Sequence, residues 1–219
     1  MTTTETKPTL ESKDGVVQAT KFDGNKPQIF LIPARGWFAM TTAKHEMQSY
    51  ATPEGESPEL RFMKFFTRFK TGEDYSALAV AGVILMRALG DQSRTDWWVN
   101  AKHKVTRVFE YGAKKYKVGN WHAGDGFTWS RLIRAAEGHA DSHFAGEVID
   151  PESGLEHLAH ALCCILMLLE HHLTGFGSDD RSEYQHIPDA IPVSTLLHGV
   201  DTTNDKQSSC DHDNGHKND

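Results

Sequence analysis

From Leu158 to Leu169 the chain reads Leu-Ala-His-Ala-Leu-Cys-Cys-Ile-Leu-Met-Leu-Leu, apolar throughout except at His160. A helix that is apolar on nearly every side is stable only when other elements surround it. The run is too short to cross a bilayer, which takes about 20 residues. It therefore predicts the central helix of an all-α bundle. Just upstream, Ser153-Gly154-Leu155-Glu156 has the S-x-x-E form of a capping box and predicts a helix over 153–173.

A second helix is predicted before it, capped by Thr128 or Ser130 and running to about Gly146. Asp150-Pro151 stops it, because the residue before a proline avoids the α region. At about 100° per residue, Leu132, Ala136, His139, Ala140, His143 and Glu147 share one sector, while Arg134, Glu137 and Asp141 face away. Two histidines and a carboxylate thus lie on the side expected to pack. The pair of helices predicts an antiparallel hairpin with Glu147, Asp150, His157 and His160 meeting at its corner. His171 and His172, at the end of the second helix, read as ordinary surface residues.

Elsewhere, Phe22 to Pro27 reads as a turn, followed by the apolar stretch Ile29 to Ile32, closed by Pro33; Thr52 to Pro58 is a second loop signal. Helical patterns cover Leu60 to Phe69, Ser76 to Leu89 and Trp97 to Tyr111, the last with Val105, Val108 and Phe109 on one face. A length of 219 residues suits one well-buried domain with tails. The expected division is a mobile tail over 1–18, a helical domain over 19–175, and a polar, largely disordered tail over 176–219.

The totals narrow the function classes. A net charge of -7 argues against general affinity for nucleic acid. No apolar leader follows Met1, and three cysteines, two of them neighbours at Cys163 and Cys164, form no disulfide framework. With a mean hydropathy of -0.51, these features predict a soluble cytoplasmic protein with no membrane partner.

The hairpin corner carries the chemistry. Glu147-Val148-Ile149-Asp150 and His157-Leu158-Ala159-His160 supply an E-x-x-D and an H-x-x-H across one tight turn. Carboxylates suit Mg²⁺ or Mn²⁺, and imidazoles suit Mn²⁺, Fe²⁺ or Zn²⁺. A divalent metal held by Glu147, Asp150, His157 and His160 would compensate charge on an otherwise apolar face. The competing reading is a metal-free hydrogen-bonded network that fixes the hairpin. His139 stands as a third ligand, a partner of a ligand, or a phosphate contact. In Tyr111 to Trp121, cations alternate with aromatic rings and an amide, and Lys115, Asn120 and Trp121 suit phosphates and a base. Arg131 and Arg134 open the next helix, where backbone N–H groups favour anions.

These residues resemble a known family. Tyr-Gly-Ala-Lys-Lys-Tyr ending in Asn120-Trp121, the His139 helix, Gly146-Glu147 and Asp150, then Ser153-Gly154 and His157-Leu158-Ala159-His160-Ala161 look like the N-terminal domain of phage dATP/dGTP diphosphohydrolases. Asp23-Gly24-Asn25-Lys26-Pro27 and Leu31-Ile32-Pro33 resemble that family's opening. Between these blocks, about 22–35 and 105–172, roughly residues 40–97 intervene as a helical insertion, expected to add helices at one side.

The resemblance implies a MazG-like helical bundle that pairs chains into a homodimer or tetramer. It implies hydrolysis of a purine deoxynucleoside triphosphate to monophosphate and pyrophosphate in the host cytoplasm. In that account Glu147 or Asp150 takes the proton from water. Lys115 and Arg131, with Arg134 and His139 nearby, neutralise the phosphates, and Asn120 and Trp121 hold the base. The alternative is a non-catalytic protein that sequesters a nucleotide in the same pocket.

Overall fold

The computed structural model describes residues 12–13, 16–17, 26–47, 55–72, 75–91 and 93–184. Among them are six α-helices: α1 (Ala34–Met47), α2 (Pro58–Lys70), α3 (Tyr75–Leu89), α4 (Trp97–Tyr116), α5 (Trp129–Phe144) and α6 (His157–Thr174). The strand content is one antiparallel pairing of Ser12–Lys13 with Val16–Val17, so the fold is all-α. No helix among the described residues is long and apolar enough to cross a membrane.

The apolar run takes the central position its composition demands. Thirteen of the 18 residues of α6 are buried, with α1, α3, α4 and α5 packed around it. Helix α1 comes close to α6 at Gly36, where an added Cβ would lie 2.6 Å from the Leu166 carbonyl oxygen. Glu170 of α6 then caps α1, its Oε2 accepting from the N–H groups of Arg35 and Gly36 at 2.9 and 3.0 Å. Gly175 ends α6 with a left-handed φ of 67°, a conformation that costs glycine little.

The described helices within residues 40–97 contribute to the core. Helix α3 is buried along most of its length and packs on α1, α2, α4 and α6. Helix α2 starts at Pro58, with Ser57 Oγ accepting from Leu60 N at 3.1 Å, and sinks Phe62, Phe66 and Phe69 completely. These side chains join the same core cluster as α6.

Three expectations change. Helix α4 runs on to Tyr116 rather than stopping near Tyr111, so Lys114 and Lys115 stand on its last turns. Thr128 holds the N-cap position of α5, but the cap hydrogen bond comes from elsewhere: Asp180 Oδ1 accepts from Ser130 N at 2.8 Å. Residues 176–184 are therefore not a loose tail. Trp129 N donates to Ser178 O at 2.9 Å, and buried Arg181 donates to the Phe69 carbonyl at 2.8 Å. The rest of the expected C-terminal tail, most of the expected N-terminal one, the Phe22-to-Asn25 part of the first turn and Cys210 lie outside the described residues.

Candidate active site

Helix α5 ends at Phe144, ahead of Asp150-Pro151, and Gly146 turns the chain with a φ of 102°. A narrow loop follows. Ile149 pairs with Glu156 in an antiparallel bridge, Asp150 N donates to Leu155 O at 2.8 Å, and His157 N donates to Val148 O at 2.9 Å. Because α6 begins only at His157, Ser153 does not cap it. The Ser153 N–H and hydroxyl both donate to Asp150 Oδ2, at 2.8 and 2.7 Å.

This loop brings Asp150 against three histidines. His139 Nδ1 lies 2.9 Å from His157 Nδ1, and the His139 ring stacks on His160 at 4.7 Å between centres. His139, Asp150 and His157 each offer one ligand atom within 4.8 Å of the others. His160 Nε2 lies 2.7 Å from Ser153 Oγ and 3.8 Å from Asp150 Oδ2. Glu147 is placed differently from the helical projection: it lies beyond the end of α5, its side chain is 55% exposed, and it reaches the cluster only through His157 Nε2, at 3.4 Å. That buried nitrogen makes no hydrogen bond among the described residues. His143 is half-buried beside the group, with no partner for its Nδ1 among the described residues.

Burial sets the protonation of the cluster. It pushes His160 down to about 4, with His139 adding to the effect, so the ring is neutral at pH 7 and its approach to Asp150 is not an ion pair. Burial and the neighbouring His157 lower His139 and His143 as well. Burial works against ionising Asp150, but the two Ser153 hydrogen bonds and His160 outweigh it and hold the carboxyl below its usual range. An unfolded histidine titrates near about 6.5, so below that pH the unfolded chain binds protons that these rings resist. Their contribution is intact above about pH 6.5 and is lost as pH falls through the folded values, about 4 for His160. Thermal melts in EDTA should be level above pH 7 and fall steadily from pH 6.5 to 4. A melting temperature that rises over that interval would contradict the placement of these rings.

A cavity of about 430 Å³ opens beside the cluster, lined by His139, Asp150 and His160. Its walls are otherwise largely apolar, among them Phe30, Trp121, Phe127, Cys163, Cys164 and Met167. Phe30 arrives from a short turn tied to α4 by Gln28 N donating to Glu110 Oε1 at 2.7 Å. Lys115 and Asn120 also line it, as does Lys117, whose φ of 86° is unusual for a residue with a side chain. Lys115 is ion-paired with Glu152, which also accepts from Tyr111 OH at 3.1 Å. The Glu152 hydrogen bond raises the Lys115 ammonium above its ordinary range.

Of the residues singled out from sequence, His139, Asp150 and His160 share this cavity with Lys115, Asn120 and Trp121, and His157 adjoins them through His139. Arg131 and Arg134 are exposed and do not line it, although Arg131 sits over the Phe127 ring at 4.9 Å. Ser153, Glu152 and Phe127 were missed. His171 is a correction: it is fully buried, packed against Trp121 at 5.8 Å and Phe176 at 5.4 Å between ring centres.

Residues 91–181 match the family model for dATP/dGTP diphosphohydrolase, N-terminal. The matched region takes in α4, α5 and α6 and every residue of the cluster; α1, α2 and α3 lie before it. No curated protein and no solved structure matches the chain.

Proposed function

We propose that the protein hydrolyses a purine deoxynucleoside triphosphate, dATP or dGTP, to the monophosphate and pyrophosphate, with a divalent cation at the hairpin corner. The observation that carries this reading is a single cavity with a histidine–carboxylate cluster and a lysine at one side and aromatic, apolar walls at the other. The matched family's name points to the same substrates.

The residues fit a cation. Two donors at about 2.1 Å from one ion and at right angles to each other lie about 3 Å apart, close to the 2.9 Å between His139 Nδ1 and His157 Nδ1. With both of those nitrogens facing an ion, the His157 proton would sit on Nε2, 3.4 Å from the Glu147 carboxylate, a common support for a metal-bound imidazole. His139, Asp150 and His157 would hold the ion, a donor set better suited to Mn²⁺ or Zn²⁺ than to Mg²⁺. When bound, the cation supplies charge against the triphosphate and makes a water molecule more acidic.

The protein's own groups do the rest. Lys115 neutralises phosphate, and the incoming triphosphate displaces Glu152 from it. Trp121 and Phe127 offer ring faces to the base, and Asn120 offers donor and acceptor atoms to its edge. Water attacks the α-phosphorus, the bond from that phosphorus to the bridging oxygen breaks, and pyrophosphate leaves. Of the two carboxylates expected to accept the proton, Asp150 lines the cavity and Glu147 does not, so the role falls to Asp150.

Purified protein incubated with dATP or dGTP and Mn²⁺ or Mg²⁺, with and without EDTA, should release monophosphate and pyrophosphate only where free cation is present. Products separated by chromatography decide the matter. Diphosphate and inorganic phosphate would overturn the reaction. Nucleotide bound one to one and recovered intact would establish sequestration instead.

A further inference from the structure

Ser153 has more contacts than a loop serine needs. Its Oγ lies 2.7 Å from Asp150 Oδ2, 2.7 Å from His160 Nε2 and 3.2 Å from Leu155 N. A hydroxyl has one hydrogen to give and two lone pairs to receive with. An ionised carboxylate only accepts, so the hydroxyl hydrogen goes to Asp150. One lone pair takes the Leu155 N–H. The remaining lone pair faces His160 Nε2, and that contact is attractive only if the ring nitrogen carries the hydrogen.

We propose that Ser153 is a positioning residue that fixes His160 as the Nε2–H tautomer and orients the Asp150 carboxylate beside the cavity. A neutral imidazole with hydrogen on Nε2 has its free lone pair on Nδ1. His160 Nε2 is then unable to bind a cation, and His160 acts on Asp150 through the serine. This separates the four ligands expected from sequence into two kinds. Asp150 and His157, joined by His139, form the inner set, while His160 and Glu147 support it from outside. Only the consequence for cation affinity rests on the proposed function; the tautomer does not.

The test uses full-length protein, ¹⁵N-labelled at histidine, freed of metal with EDTA and held at pH 8. Two-bond proton–nitrogen correlation spectra should show His160 protonated at Nε2 and bare at Nδ1. Ser153→Ala should give a mixture of the two tautomers, and Ser153→Thr, which keeps the hydroxyl, should restore the single form. Mn²⁺ affinity, read by titration calorimetry, should fall about 10-fold or more in the alanine variant, as for other partners of metal ligands, and stay near the parent value in the threonine variant. A parent spectrum with His160 protonated at Nδ1 overturns the proposal without need of any variant. So does an alanine variant with unchanged tautomer and unchanged Mn²⁺ affinity. A parent that shows the Nε2–H form yet binds no Mn²⁺ supports the Ser153 assignment and removes the cation from the proposed function.

Discussion

Asp150→Asn is expected to lower pyrophosphate release from dGTP by on the order of 100-fold or more, since a catalytic cation contributes several kcal/mol and each about 1.4 kcal/mol is tenfold in rate. The substitution keeps the shape of the side chain. Its carbonyl oxygen can still accept from the Ser153 N–H and hydroxyl, which now hold Oδ2 at 2.8 and 2.7 Å, so the loop has no reason to collapse. The negative charge is lost, and with it the anionic member of the His139–Asp150–His157 group and the proposed acceptor for the proton of water. Mn²⁺ binding should weaken in parallel while the melting temperature stays close to the parent's. Glu147→Gln provides the contrast: that side chain is more than half exposed and meets the cluster only through His157, so a loss of about 10-fold is expected. Assays showing Asp150→Asn within twofold of the parent and Glu147→Gln inactive would reverse the two roles.

The sequence made the hairpin legible because both of its signals are local. A run apolar on every side predicts a central helix wherever it sits, and Ala136 and Ala140 on the histidine face of α5 are fully buried as the periodicity requires. The site was legible only as a cluster. The helical projection carried Glu147 onto the packing face by extending α5 past Phe144, where Gly146 turns the chain and the projection no longer applies. Ser-x-x-Glu reads as a capping box on composition alone, but a serine three residues after Asp150 can instead bond back to that carboxylate, and here it does. His171 is buried because residues 176–181 fold back over the end of α6, a tertiary event that no pattern within the helix announces. The cavity wall joins Phe30, Trp121 and Met167 from segments far apart in the chain, and a single sequence does not specify such meetings.

Phe66→Ala should cost about 3–5 kcal/mol of stability, lowering the melting temperature of the whole protein by about 10 °C in one cooperative transition. Phe66 is fully buried and stacks on Phe62 at 5.0 Å between centres. Phe62 reaches Phe144 of α5 at 6.4 Å, and Phe69 stacks on Trp129 at the start of α5 at 6.1 Å. Lys70 of α2 is ion-paired with Glu137 of α5, and Arg181 binds the Phe69 carbonyl. Helix α2 lies outside the family match yet is fastened at several points to the helix that carries His139. A hole at Phe66 therefore loosens α5 and α2 together, and circular dichroism and nucleotide binding should be lost over the same temperature range. Had residues 40–97 been an independent addition, the variant would instead melt in two steps, the first leaving nucleotide binding intact. Two such steps would show that α5 and α6 fold and bind without α2.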